Sequence, residues 1–169
     1  MLAEITTAHE FFSVNGDKLG AFFLSFWMIT NLWSVHHNMF GFVGNVTNRL
    51  MRLNFCWLAG IVFFPITMSL VKETSDKTGV GVFYGILLII AFFNLLMCLA
   101  IRMDDNTWKG DRPPGLLWLA RNVVGNVLHL VALVLALLKP EVDTWATFLM
   151  LGVIPLMFVV QKLKPDWEY

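Results

Sequence analysis

The chain alternates between long stretches almost free of charge and short polar connections. Five apolar stretches stand out, at residues 19–35, 53–71, 80–101, 116–138 and 144–161. Each is near the ~20 mostly apolar residues that a helix needs to cross hydrocarbon, where backbone amides must be satisfied within the segment. Lys18 and a histidine pair bound the first, and Arg52 and Lys72 the second. The third closes at Arg102, the fourth carries Arg121 near its start with Lys139-Pro140 after its end, and the fifth closes at Lys162. These runs are apolar on every face over most of their length, which argues against amphipathic helices lying on a membrane surface. They lack the strict alternation of a transmembrane barrel. The pattern predicts an all-α polytopic bundle of five transmembrane helices, a single transmembrane domain over residues 1–169 with no soluble domain or linker.

Composition agrees with this reading. Hydrophobic residues make up 57% and charged residues 14%, against ~25% charged in soluble domains, and the mean hydropathy is +0.68. Twelve basic and twelve acidic residues cancel, so nothing points to a nucleic-acid partner or a polybasic anchor. Cys56 and Cys98 lie inside apolar runs and read as small core residues rather than a disulfide or zinc site. Glu4 and Glu10 stand where a secretory signal would be basic.

Basic residues set the orientation. Arg49, Arg52, Arg102, Lys109, Arg112, Arg121, Lys162 and Lys164 fall on one side, and Lys18, Lys72, Lys77 and Lys139 on the other. Eight against four places the C-terminus in the cytoplasm and the N-terminus outside. One more helix ahead of Met1 would bring both ends inside.

Few polar residues lie at membrane depth. Arg121, Asn122, Asn126 and His129 are the densest set, and the last three share one face of the fourth helix at i, i+4, i+7 spacing, beside Gly125. Such a stripe faces protein or water rather than lipid. It serves either interhelical hydrogen bonding, with Gly125 permitting close approach, or an ion or proton path; Asn94 alone on the third helix reads as a helix–helix hydrogen bond. Pro65 and Pro155 sit inside the second and fifth runs and read as shape rather than gating.

His36 and His37 invite a haem or metal reading, with His129 as the opposite axial ligand. Depth argues against haem, since His129 lies ~20 Å along its helix from the face where the pair sits. Adjacent helical residues diverge by ~100°, which disfavours a metal held by the pair alone. One imidazole is expected to pack inward and hydrogen-bond while the other faces the headgroups. No cofactor is implied. Asp104, Asp105 and Asp111 lie among Arg102, Lys109 and Arg112 as a paired, solvated connection, and no catalytic constellation or phosphate loop appears, so the chain does not read as an enzyme.

Trp33, His36, His37 and Phe40, followed by Arg49, Arg52, Leu53-Asn54 and Phe64-Pro65-Ile66-Thr67, carry a resemblance. The stretch from Phe26 to Met68 resembles the bacterial branch of the transmembrane protein 175 family, the potassium-leak channels of lysosomes and prokaryotes. The resemblance implies a six-helix repeat with both ends cytoplasmic, assembled in prokaryotes as a homotetramer around a central potassium pathway. It makes the five runs helices two to six of that repeat. The family's first helix lines the pathway and carries arginine, three residues, then phenylalanine-serine-aspartate. Here Ala8 stands in the arginine's place, and Val14 follows Phe12-Ser13. The expectation is a chain lacking that pore-lining helix, with Trp33, His36 or His37, and Asn54 bracing it at the cytoplasmic end when it is supplied. Potassium transport in a bacterial cytoplasmic membrane is the function implied, and the partners are potassium ion, the lipid bilayer and further copies of the chain. A non-conducting membrane scaffold or accessory subunit is the alternative.

Overall fold

The computed structural model describes residues 8–73, 77–110 and 113–138. Four helices follow one another, α1 (Ala8–Phe40), α2 (Asn48–Glu73), α3 (Lys77–Met103) and α4 (Leu116–Leu138). Among the described residues no strand forms. The predicted fifth span, 144–161, lies outside them, as does Pro155.

Three helices are long and apolar enough to cross a membrane, over Asn48–Thr67, Thr78–Met103 and Leu116–Leu135. The first predicted run is helical throughout, but α1 is not among these three. Ser25, Thr30, Asn31, Ser34 and the histidines dilute its hydropathy. The sequence also understates its length. α1 has 33 residues, because the more polar stretch from Ala8 to Lys18 contains no proline and continues the same helix.

The packing is sequential. α3 lies between α2 and α4, and α1 meets α2 more sparingly. The core joins Leu50, Trp57 and Phe64 of α2 to Tyr84, Leu87, Ile90 and Met97 of α3, with Met28 and Met39 from α1 and Trp118 from α4. Leu50, Trp57 and Phe64 stand at seven-residue spacing, so one stripe of α2 is buried. At Gly60 the two helices come so close that a Cβ would sit 2.6 Å from Ile90 Cγ1.

Local chemistry fixes the ends. Thr47 caps α2, its hydroxyl accepting from the Leu50 amide at 3.4 Å. After α3, the Asp104 carboxylate accepts from the Asn106 amide at 3.1 Å and starts a turn. Within this connection Gly110 adopts a φ of +97°, which glycine takes without strain. Arg102, in the last turn of α3, donates through Nη1 to the Pro114 carbonyl and ties the entry of α4 to the end of α3.

Candidate functional site

The two connections at one end of the bundle are stitched together. Val43 and Trp108 form an antiparallel bridge. The Gly44 amide donates to the Thr107 carbonyl at 2.8 Å, and the Lys109 amide to the Phe42 carbonyl at 2.7 Å. Phe42 also packs on Trp118 of α4, with ring centroids 5.3 Å apart. Gly44 has no side chain to spare here, since a Cβ would meet the Trp108 carbonyl oxygen at 3.3 Å. This clip holds the C-terminal end of α1 against the rest of the bundle.

Just beneath it lies the histidine motif. His36 sits just past the first apolar run and turns inward. Its Nε2 is 2.7 Å from Asn54 Oδ1. The amide oxygen can only accept, so Nε2 carries the hydrogen and donates it. The His36 ring stacks on Trp57 at 4.2 Å and leans on Phe40 at 4.5 Å. Burial pushes its pKa below the ordinary value, opposed by the Asn54 hydrogen bond and reinforced by the neighbouring His37. The neutral ring is the form this pocket favours.

His37 faces outward and stacks on Trp33 at 5.0 Å, both exposed. The pair therefore divides as adjacent helical positions must, one ring in and one out. Two further contacts anchor this end of α1 to α3 and hold α2 in shape. The buried Cys98 thiol of α3 donates to the Met39 thioether at 3.5 Å. Pro65 is exposed on α2, and two residues on the buried Thr67 hydroxyl donates to the Phe64 carbonyl at 2.7 Å.

The polar face of α4 meets α3. Asn94 Nδ2 donates to Asn122 Oδ1 at 2.8 Å, and Asn126 Nδ2 donates across to the Ala91 carbonyl at 3.0 Å. Each α4 amide also donates to its own helix, Asn122 to the Trp118 carbonyl and Asn126 to the Asn122 carbonyl. His129 turns its Nδ1–H back onto the Gly125 carbonyl at 2.6 Å, so that bond stays within α4. Arg121 is half-buried one residue before Asn122. The asparagine amide nitrogens are thus occupied as a helix–helix seam, while Asn94 Oδ1 is buried there without a hydrogen-bond partner. Replacing Asn122 by leucine strands the Asn94 amide and should cost about 1–2 kcal/mol. A lowered denaturation midpoint in detergent with unchanged ion flux is the expected result. Altered flux with intact stability would instead place a conduction path along this face.

Sequence reasoning singled out His36 and Asn54 without pairing them, and it missed Trp57. The signal was there, since Trp57 stands three residues after Asn54 on the same helical face. The clip residues Val43, Gly44 and Trp108 carried none, because a bridge between two loops follows from how the helices pack. Among the described residues no group of three or more His, Cys, Asp or Glu side chains gathers at one point.

No curated protein and no solved structure shows significant similarity to the chain. One family model does match, described as endosomal/lysosomal potassium channel TMEM175, over residues 3–65. The matched stretch contains α1, the clip residues of the α1–α2 connection, and α2 as far as Pro65, and so both partners of the His36–Asn54 hydrogen bond. That family is one of channels rather than enzymes. Together with three helices apolar enough to cross a membrane, the match makes residues 3–65 of this chain similar to the TMEM175 potassium channel family.

Proposed function

We propose that this chain serves, as a homo-oligomer, in a potassium-permeable pathway across a membrane when a pore-lining helix is supplied to it. The observation that carries the reading is the family match over residues 3–65, the stretch in which the histidine motif of α1 locks onto Asn54 and Trp57 of α2. α1 adds a further span to the three apolar ones. Its 33 residues extend ~50 Å at the α-helical rise, well beyond the ~30 Å of a hydrocarbon core. The chain is then one transmembrane domain, a tetramer in a bacterial cytoplasmic membrane. The clip supports the orientation with a cytoplasmic C-terminus. It joins the α1–α2 and α3–α4 connections, the two that carry most of the excess of arginine and lysine.

His36, Phe40 and Asn54 act in this reading as the brace that fixes the cytoplasmic end of α1, while Trp33 and His37 stack on one another on its exposed side. The test is potassium flux from liposomes holding the purified full chain. Flux above empty vesicles is expected when a pore-lining helix is supplied with it. A folded, membrane-inserted chain that, with that helix supplied, releases no more potassium than empty vesicles would overturn conduction and leave an accessory subunit as the better description.

A further inference from the structure

One face of α2 carries a pattern that conduction does not use. Arg49, Arg52, Cys56, Ala59 and Phe63 follow i, i+3, i+7, i+10, i+14 spacing and are all exposed. They stand on the side of the helix away from the buried stripe of Leu50, Trp57 and Phe64. The stripe is apolar below Arg52 and dibasic at its top. No acidic residue occurs anywhere between Lys18 and Lys72. On the loop clipped to this corner, the Asp104 carboxylate is turned to Asn106 of its own turn. Both arginines therefore stand exposed on a stretch of α2 that carries no acid of its own.

The dimensions of the stripe narrow the occupant. Arg52 and Phe63 are separated by ~16 Å along the helix axis at 1.5 Å per residue. That is about the depth of one leaflet, half of a ~30 Å hydrocarbon core. A guanidinium pair at headgroup level binds phosphate oxygens well, and the surface below it accommodates an acyl chain.

We propose that the outward face of α2 is a binding site for an anionic phospholipid, its phosphate held by Arg49 and Arg52 and one acyl chain lying along Cys56, Ala59 and Phe63. The inference rests on α2 crossing the membrane and goes beyond the conduction reading. It gives the channel a lipid-dependent element at the α1–α2 corner, next to the His36–Asn54 brace.

Cys56 makes the test direct. It is exposed while Cys98 is buried, so a thiol-reactive fluorophore reports from the stripe alone. The labelled full chain is reconstituted in vesicles containing brominated phosphatidylglycerol or brominated phosphatidylcholine. Quenching by both is expected, with relative association about fivefold stronger for phosphatidylglycerol, the scale of one basic residue at an anionic surface. The double variant Arg49→Gln/Arg52→Gln should bring the two lipids to equal association, while Lys109→Gln leaves the preference in place. Added glycerol phosphate should not weaken the quenching, which separates a bound lipid from a free phosphate ester.

Equal quenching by both lipids in the unaltered chain would overturn the headgroup site while upholding a lipid-facing α2. A preference that survives the double variant, or falls equally with Lys109→Gln, would also overturn it, as general surface charge. No quenching by either lipid, with probe self-quenching that rises with protein density, would assign the face to a second copy. No quenching without such self-quenching would remove α2 from the bilayer altogether.

Discussion

Replacing Trp57 by alanine should cost about 3–5 kcal/mol of stability, the usual range for deleting a buried aromatic side chain. Trp57 is only 3% exposed and belongs to the core that joins α2 to α3. It is also the platform on which the His36 ring rests at 4.2 Å. Within a bilayer, association between helices draws on van der Waals packing more than on exclusion of water, and the indole supplies that contact on two sides at once. Its removal leaves a void and frees the imidazole that Asn54 holds. The expected readout is a large drop in the denaturation midpoint of the detergent-solubilised chain. Trp57→Phe, which restores a ring for stacking, should recover more than half of the loss. If Trp57→Ala unfolds at the same midpoint as the unaltered chain, the α1–α2 contact is not what secures this end of the molecule.

The second large effect is expected at Gly60. A valine there should cost about 3 kcal/mol, the upper end of what an over-packed interior loses. Its Cβ would fall 2.6 Å from Ile90 Cγ1, and Ile90 is fully buried and branched at that carbon's attachment, so it cannot swing aside. Replacing glycine in a helix normally gains up to ~1 kcal/mol, which works against the clash but does not outweigh it. A double-mutant cycle separates the two effects. Ile90→Ala alone should destabilise, yet Gly60→Val/Ile90→Ala should be markedly more stable than the sum of the single losses. Strict additivity would mean that α2 and α3 do not meet at this point.

How much of this was legible beforehand can be judged residue by residue. The apolar runs located α2, α3 and α4, because length and hydropathy are properties of a segment by itself. The first run was recognised, but the helix begins well before it, at Ala8. Charge and polarity define an apolar run, whereas a helix ends only where capping, glycine or proline ends it. The histidine motif was visible as a pattern, as was the rule that neighbouring helical side chains diverge. Which ring would turn inward was not. That depended on Asn54 arriving at hydrogen-bonding distance with Trp57 below it, and both come from another helix. The asparagines of α4 could be placed on one face from their spacing, but not assigned to Asn94 and Ala91 of α3.

The sequence by itself therefore determined a membrane protein helical over its described stretches, the helices long and apolar enough to cross, and the motif that resembles the TMEM175 family. Those are properties of segments, set by backbone hydrogen bonding in hydrocarbon and by the period of a helix. Tertiary structure alone decided which helices touch and through which atoms: Gly60 against Ile90, His36 on Asn54, the asparagine seam between α3 and α4, and the clip of Val43 to Trp108. Each needs two segments distant in the chain to meet at a definite depth and rotation, which side-chain shape at the crossing fixes and no single segment encodes.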